Sequence, residues 1–293
     1  MLGVSMTAPR LYVLQARSAA VALVVRRGPT EWFHLLRWDL DAGTVEPGAW
    51  FHGTIYPRRS EISPDGRLFA YFAFTGRPAP WDSYYAVSKI PWLAALAAWR
   101  MGTTYTWGCE FLDDGSLAVP FRPDDPPDHG RFEGNVVARS ARAETWVGRG
   151  AFDERDVANE LRRGWEPLEI LAGDPLLEHL PIPDRSIHLI LRRPRPGDGS
   201  KALVLAHGGH THAEPWIEGV EVAYLLEDGE RPTFLDDVGW ADWDPNGRLL
   251  VATRGGEIQV REPVAGRWRT TWSHDLNGLE PDPAEAPAWA RSW

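Results

Sequence analysis

Three copies of one eight-residue pattern constrain this chain more than any other feature. Glu61-Ile-Ser-Pro-Asp-Gly66-Arg-Leu68, Glu110-Phe-Leu-Asp-Asp-Gly115-Ser-Leu117 and Asp242-Trp-Asp-Pro-Asn-Gly247-Arg-Leu249 share it. Each reads acid, large apolar, two variable positions, Asp or Asn, Gly, any residue, Leu. A repeated unit cannot bury its own apolar face, so its period dictates how neighbours stack. The Asp-Gly or Asn-Gly pair supplies the positive φ angles of a tight turn, and the flanking apolar residues alternate as half-buried strands do. Each copy is expected to be a β-hairpin.

The glycines of successive copies lie 49 and 132 residues apart. The larger gap is close to three blade lengths of roughly 40–45 residues, so two degenerate copies are expected inside it. More strand-like sequence follows each hairpin, as in Leu68 to Phe74 then Tyr84 to Lys89, and Leu249 to Thr253 then Glu257 to Arg261 across Gly255-Gly256. That makes four short antiparallel strands per unit. With 28 Gly and 25 Pro in 293 residues, the chain turns too often for long helices. The expected fold is all-β: a β-propeller of five or six four-stranded blades, closed radially so that few strand edges are exposed. One or two short helical insertions are expected, at Ala-, Leu- and Trp-rich Pro91 to Met101, where a buried strand pair would give a similar composition, and at Asp153 to Gly164. The second has an acidic start, Val157 and Leu161 on one face, and Gly164 as a stop. Residues 1–276 form the expected propeller domain. Residues 277–293, rich in Pro, Glu and Ala, read as a loosely ordered C-terminal tail. Proline-rich Pro120 to Arg131 reads as a surface excursion.

Ser63-Pro64-Asp65-Gly66-Arg67-Leu68 and Asp244-Pro245-Asn246-Gly247-Arg248-Leu249 resemble the hairpin of WD40-like repeats of the TolB-type propellers. The resemblance implies the propeller fold. It covers three short segments.

Charge narrows the partners. The formal net charge is -10, with 16 Lys+Arg against 15 Asp+Glu in residues 1–150 and 15 against 26 thereafter. An acidic surface opposes phosphate binding, so no nucleic-acid partner is expected. The apolar run Ala19 to Val25, closed by Arg26 and Arg27, is too short for a membrane span and reads as a buried strand. Cys109 is the single cysteine. It has no intrachain partner, it reads as a small buried hydrophobe, and a reducing cytoplasmic setting is expected.

Three sets of side chains are candidates for function. Glu61, Glu110 and Asp242 occupy one position in three repeats, and ring closure would gather them around an axis, as acid and base of a glycosidase-like hydrolase or as cation ligands. The alternative is that each carboxylate satisfies turn N–H groups or a neighbouring arginine, with Arg59, Arg67 and Arg248 at hand. Among 16 tryptophans, most fill wedges between twisted sheets, while Trp81, Trp107 and Trp240 are candidates to line a ligand-binding mouth. The run Ala202 to Trp216 brings His207, His210 and His212 toward a glycine-loosened turn, where nitrogen and oxygen ligands are within reach of a divalent metal. Otherwise no cofactor is expected. There is no Gly-x-Ser-x-Gly elbow, phosphate-binding loop, paired cysteine or dinucleotide fingerprint. The leading expectation is a binding or scaffold propeller for a protein segment or small polar ligand, and the alternative is a hydrolase at the carboxylates or the His turn.

Overall fold

The computed structural model describes residues 8–78, 80–104, 106–139, 158–170, 174–181, 187–210, 220–229 and 231–293. The architecture is all-β with almost no helix: five small sheets, a five-bladed β-propeller. The first sheet runs Arg10–Gln15, Val21–Arg27, Trp32–Asp39, Thr44–His52. In the second, Thr54–Ile55 and Glu61–Ile62 both pair with Leu68–Phe74, followed by Ser83–Lys89, Ala97–Arg100 and His129–Gly130. The third holds Glu110–Phe111, Leu117–Val119 and Val136–Ala138. The fourth is Glu166–Pro167, Ile187–Arg195, Asp198–His210, Val220–Glu227, Thr233–Phe234, and the fifth Val238–Trp243, Leu249–Thr253, Glu257–Val264, Arg267–Asp275.

The chain divides into two compact units, one of residues 1–141, 254–257 and 274–293, the other of residues 142–253 and 258–273. In the first unit, Phe72, Tyr85, Trp99, Cys109, Phe111 and Leu117 form one apolar cluster across the second and third sheets. Cys109 is thus the buried small hydrophobe expected. In the second unit, Leu203, Leu205, Tyr224, Trp243, Leu249 and Val251 do the same across the fourth and fifth. Burying both inner faces holds such small sheets together, since a strand pair alone is marginal in water.

All three repeats are hairpins, but their turn differs from the expected one. Only the glycine is left-handed, at φ +70°, +82° and +75° for Gly66, Gly115 and Gly247, while Asp65, Asp114 and Asn246 keep negative φ. Gly115 N–H donates to the Leu112 carbonyl at 3.0 Å and Gly247 N–H to that of Asp244 at 2.9 Å, which is a type I turn followed by a glycine bulge. The register also splits. Phe111 faces Leu117 and Trp243 faces Leu249, but Ile62 faces Phe69. The Ser63 hydroxyl accepts the N–H groups of both Arg67 (3.1 Å) and Leu68 (2.9 Å), holding a loop one residue longer. A one-residue slip exchanges the two faces of a strand. Accordingly Leu117 and Leu249 are core residues, whereas Leu68 is half-buried and Phe69 takes the interior.

Of four further expectations two are corrected, at Pro91 to Met101 and between Gly115 and Gly247, and two are met, at the second helix and at Pro120 to Arg131. Ala97–Arg100 within Pro91 to Met101 is a strand, with Tyr85 opposite Trp99 and Ala86 opposite Ala98. A neighbouring strand with open hydrogen bonds outweighed the helix propensity of alanine. The second helix is the five residues Ala158–Arg162, ended as expected at Gly164 (φ +83°), and Val157 lies outside the described residues. Between Gly115 and Gly247 the described residues form only one further complete sheet, the fourth, whose Asp198–His210 strand is 13 residues long. Finally, Pro120 to Arg131 is the surface excursion expected, none of its residues being buried, and it is stitched to the second sheet's edge: Trp99 Nε1 donates to the Asp125 carbonyl at 3.1 Å and Arg100 Nε to Asp128 at 2.7 Å.

The first unit also buries charge-bearing groups. Arg26 lies beneath the chain's final segment, its Nε donating to the Leu276 carbonyl at 2.8 Å and Nη2 to that of Leu279 at 3.2 Å. Its guanidinium faces the Trp50 ring, on which His34 stacks at 4.1 Å between centroids. Burial, and next the Arg26 charge, push the His34 imidazole down to about 4. The unfolded chain therefore takes up a proton near pH 6.5 that the folded chain refuses until about pH 4, so this residue's contribution to stability falls as pH drops through that window. His34→Phe, which keeps the stack, is expected to flatten the fall in unfolding midpoint between pH 6.5 and 4. An unchanged wild-type-minus-variant difference across the window would refute that coupling.

Candidate functional site

Glu61, on the short strand Glu61–Ile62 of the second sheet, is buried and joins all three sheets of the first unit. Its Oε1 accepts Arg17 Nη1 at 3.1 Å and its Oε2 accepts the Phe111 N–H at 2.9 Å. Arg17, which follows the first strand, also donates to the Phe111 carbonyl and lies 3.4 Å from Asp113. The carboxylate thus has both oxygens occupied by donors from neighbouring sheets. Glu110, beside Phe111 on the adjoining strand, is half-buried, and its carboxylate makes no ion pair among the described residues.

Asp242 belongs to the second unit and shares the arginine partner, while its backbone donor is its own neighbour in the strand. It is buried, it accepts the Trp243 N–H at 2.9 Å, and it is paired with Arg193 of the fourth sheet. Trp243 Nε1 returns a hydrogen bond to the Arg193 carbonyl at 3.1 Å. Burial pushes the Asp242 carboxyl up, with the Arg193 and Arg163 charges opposing it. In both repeats the acid receives an arginine from the preceding sheet. The arginines are Arg17 and Arg193, neither of which the sequence singles out. Arg248 instead closes its own turn on Asp244 at 2.6 Å, and Arg59 donates to the Thr104 carbonyl at 2.8 Å.

The three tryptophans have different surroundings. Trp240 is 3% exposed. Trp81 is half-buried, edge-on to Tyr84 at 5.9 Å and with the Arg100 guanidinium 5.9 Å from its ring centre. Trp107 is 42% exposed. Its backbone is nevertheless held: Tyr85 Oη donates to the Trp107 carbonyl, and Arg139 Nη1 to the Gly108 carbonyl at 2.9 Å. The same Arg139 guanidinium sits 5.5 Å from the Trp107 ring centre. A planar cation over an indole face, both anchored from behind, is a preorganised surface for a polar or aromatic ligand group.

His207 is buried within the Asp198–His210 strand, opposite Leu189 and Val222. The His210 side chain and all of His212 lie outside the described residues. Among the described residues no three His, Cys, Asp or Glu side chains gather as a metal site. No described helix is long and apolar enough to cross a membrane.

The site and the sheets together define the class: a β-propeller in which two of the three repeated acids, Glu61 and Asp242, each receive an arginine from the preceding sheet. No protein-family model matches the chain, and no curated protein matches it. Among solved structures it is similar to Pseudomonas aeruginosa periplasmic gluconolactonase, PpgL, at 12% identity over 91% of this chain and 85% of that one, with a TM-score of 0.25. A likeness at that score carries no functional argument.

Proposed function

We propose that this chain is a binding or scaffold propeller, recognising a protein segment or small polar ligand through the Trp107–Arg139 surface. One observation carries the reading: the buried acids Glu61 and Asp242 each accept a hydrogen bond from an arginine of the preceding sheet. An acid–base pair for hydrolysis requires two carboxylates open to substrate and water, whereas these two are committed to holding sheets together. Fold class alone decides nothing, because propellers host unrelated activities. The exposed, backbone-anchored Trp107 has the character of an interface anchor, a large rigid ring that loses little entropy on binding. We also propose a cytoplasmic setting, supported by the single buried Cys109, and partners other than nucleic acid, supported by the net charge of -10.

The test is a random peptide library panned in parallel on the wild-type chain and on Trp107→Ala. Peptides recovered on the wild type are expected to bind the variant at least about tenfold more weakly, with Arg139→Ala intermediate. Equal binding by the variant overturns the reading. So does turnover of a chromogenic glycoside that Glu61→Gln abolishes, which is the outcome the hydrolase alternative requires.

A further inference from the structure

The first unit holds a groove of about 370 Å³ lined by Val21, Gly66 and Ile90, five charged side chains and Trp289; Trp107 is not among its lining residues. That volume suits a ligand the size of a monosaccharide.

We propose that this groove binds a small polyhydroxylated monoanion, a sugar acid. The anionic handle falls to Arg67 and Lys89. Ile90 N–H donates to the Arg67 carbonyl at 3.1 Å and Leu68 pairs with Lys89, so the two cations are neighbours, Arg67 in the turn just before Leu68–Phe74 and Lys89 at the end of the adjacent strand. Neither is in an ion pair among the described residues, and Lys89 Nζ is held only by the Trp289 carbonyl, at 3.0 Å. In a chain with a net charge of -10, two neighbouring unpaired cations in a concavity form a local anion site. Arg37, the third cation, is shared with Asp39 at 3.7 Å.

The two carboxylates supply the second element of recognition. Glu46 stands opposite Arg37 across the first sheet, and Asp65 lies in the turn that carries Arg67. Ionised carboxylates accept only; Asp65 Oδ1 already accepts the Ser63 hydroxyl and the Arg67 N–H, so its other oxygen and the Glu46 carboxylate are the acceptors for which a ring with several hydroxyls provides donors where a bare anion would be repelled. Trp289 supplies the third. It is 51% exposed, the highest value among the four exposed large hydrophobics of the described residues. A 3-10 turn at Ala288–Ala290, with Ala290 buried, holds it in place. An indole fixed beside paired cations and carboxylates matches the apolar C–H face of a pyranose. Three cations against two acids favour a single negative charge over a dianion.

This site is independent of the Trp107 surface, and its test separates the two. Titration calorimetry of the full chain with D-galacturonate is expected to show saturable binding. Arg67→Ala and Lys89→Ala should each weaken it about tenfold, and Trp289→Ala should weaken it measurably. Trp107→Ala should leave it unchanged. Neutral D-galactose, a hexose phosphate and adenosine monophosphate should all bind more weakly than galacturonate. Unfolding midpoints check that the variants fold, with Arg67→Gln as a second replacement that keeps bulk and polarity. The proposal is overturned by absence of galacturonate binding, by binding that the cation variants leave intact, or by galactose, the hexose phosphate or adenosine monophosphate binding as well or better. A Trp107 reading that fails in its own test leaves this outcome untouched.

Discussion

Arg193→Ala is expected to destabilise the protein by about 3–5 kcal/mol, because it strands the buried Asp242 carboxylate without its partner. Much of that cost belongs to the unpaired charge, not to the lost hydrogen bond. The double variant Arg193→Met/Asp242→Leu, which replaces both partners by apolar groups, should recover most of it. The pH dependence has a definite sign. Burial already raises the Asp242 carboxyl, and removing Arg193 raises it further. The penalty is then present above its folded-state pKa and shrinks as pH falls and the carboxyl takes up a proton. Urea unfolding at neutral and acidic pH reads both effects. A single variant within about 1 kcal/mol of wild type would mean that Asp242 finds water or another cation, and that the arginine does not bridge the fourth and fifth sheets.

Gly48→Ala should cost about 3 kcal/mol or more, for steric reasons alone. A Cβ at this position would lie 2.2 Å from the Pro91 carbonyl oxygen and 2.5 Å from its Cβ, and that same carbonyl accepts the Ala49 N–H at 2.9 Å. The obstacle is backbone, so no rotamer change relieves it, and the first and second sheets must separate at this point. Gly102→Ala is the control. Gly102 has φ +65° and nothing within 4 Å of an added Cβ, so its cost is limited to the left-handed conformation, about 1–2 kcal/mol. Comparable midpoints for the two variants would show that the clash at Gly48 is absorbed by small shifts.

The three repeats were legible as hairpins because their information is local. Glycine at a left-handed position and Asp or Asn just before it close a turn through atoms only a few residues apart. Ser63 shows the limit of that reading. Its hydroxyl lengthens one turn by a residue and reverses which of Leu68 and Phe69 is buried. Composition around Ala97 is compatible with helix or strand, and the hydrogen bonds offered by Ser83–Lys89 decide for the strand. The candidate carboxylates were legible as a repeated position, but their partners were not. Arg17 lies 44 residues from Glu61 and Arg193 49 from Asp242, and no local spacing announces a contact between sheets.

The sequence by itself determined the all-β class, the repeated hairpin and the buried Cys109. These follow from backbone constraints at glycine and proline and from the alternation of apolar side chains, both settled within a few residues. Only the tertiary structure decided that Glu61 and Asp242 are committed to arginines, that Trp240 is buried while Trp107 is exposed, and that Arg67, Lys89 and Trp289 share one groove. Those outcomes depend on which strands become neighbours and how much water each side chain loses. Both are properties of packing between segments far apart in the chain, where burial and long-range pairing set the energies.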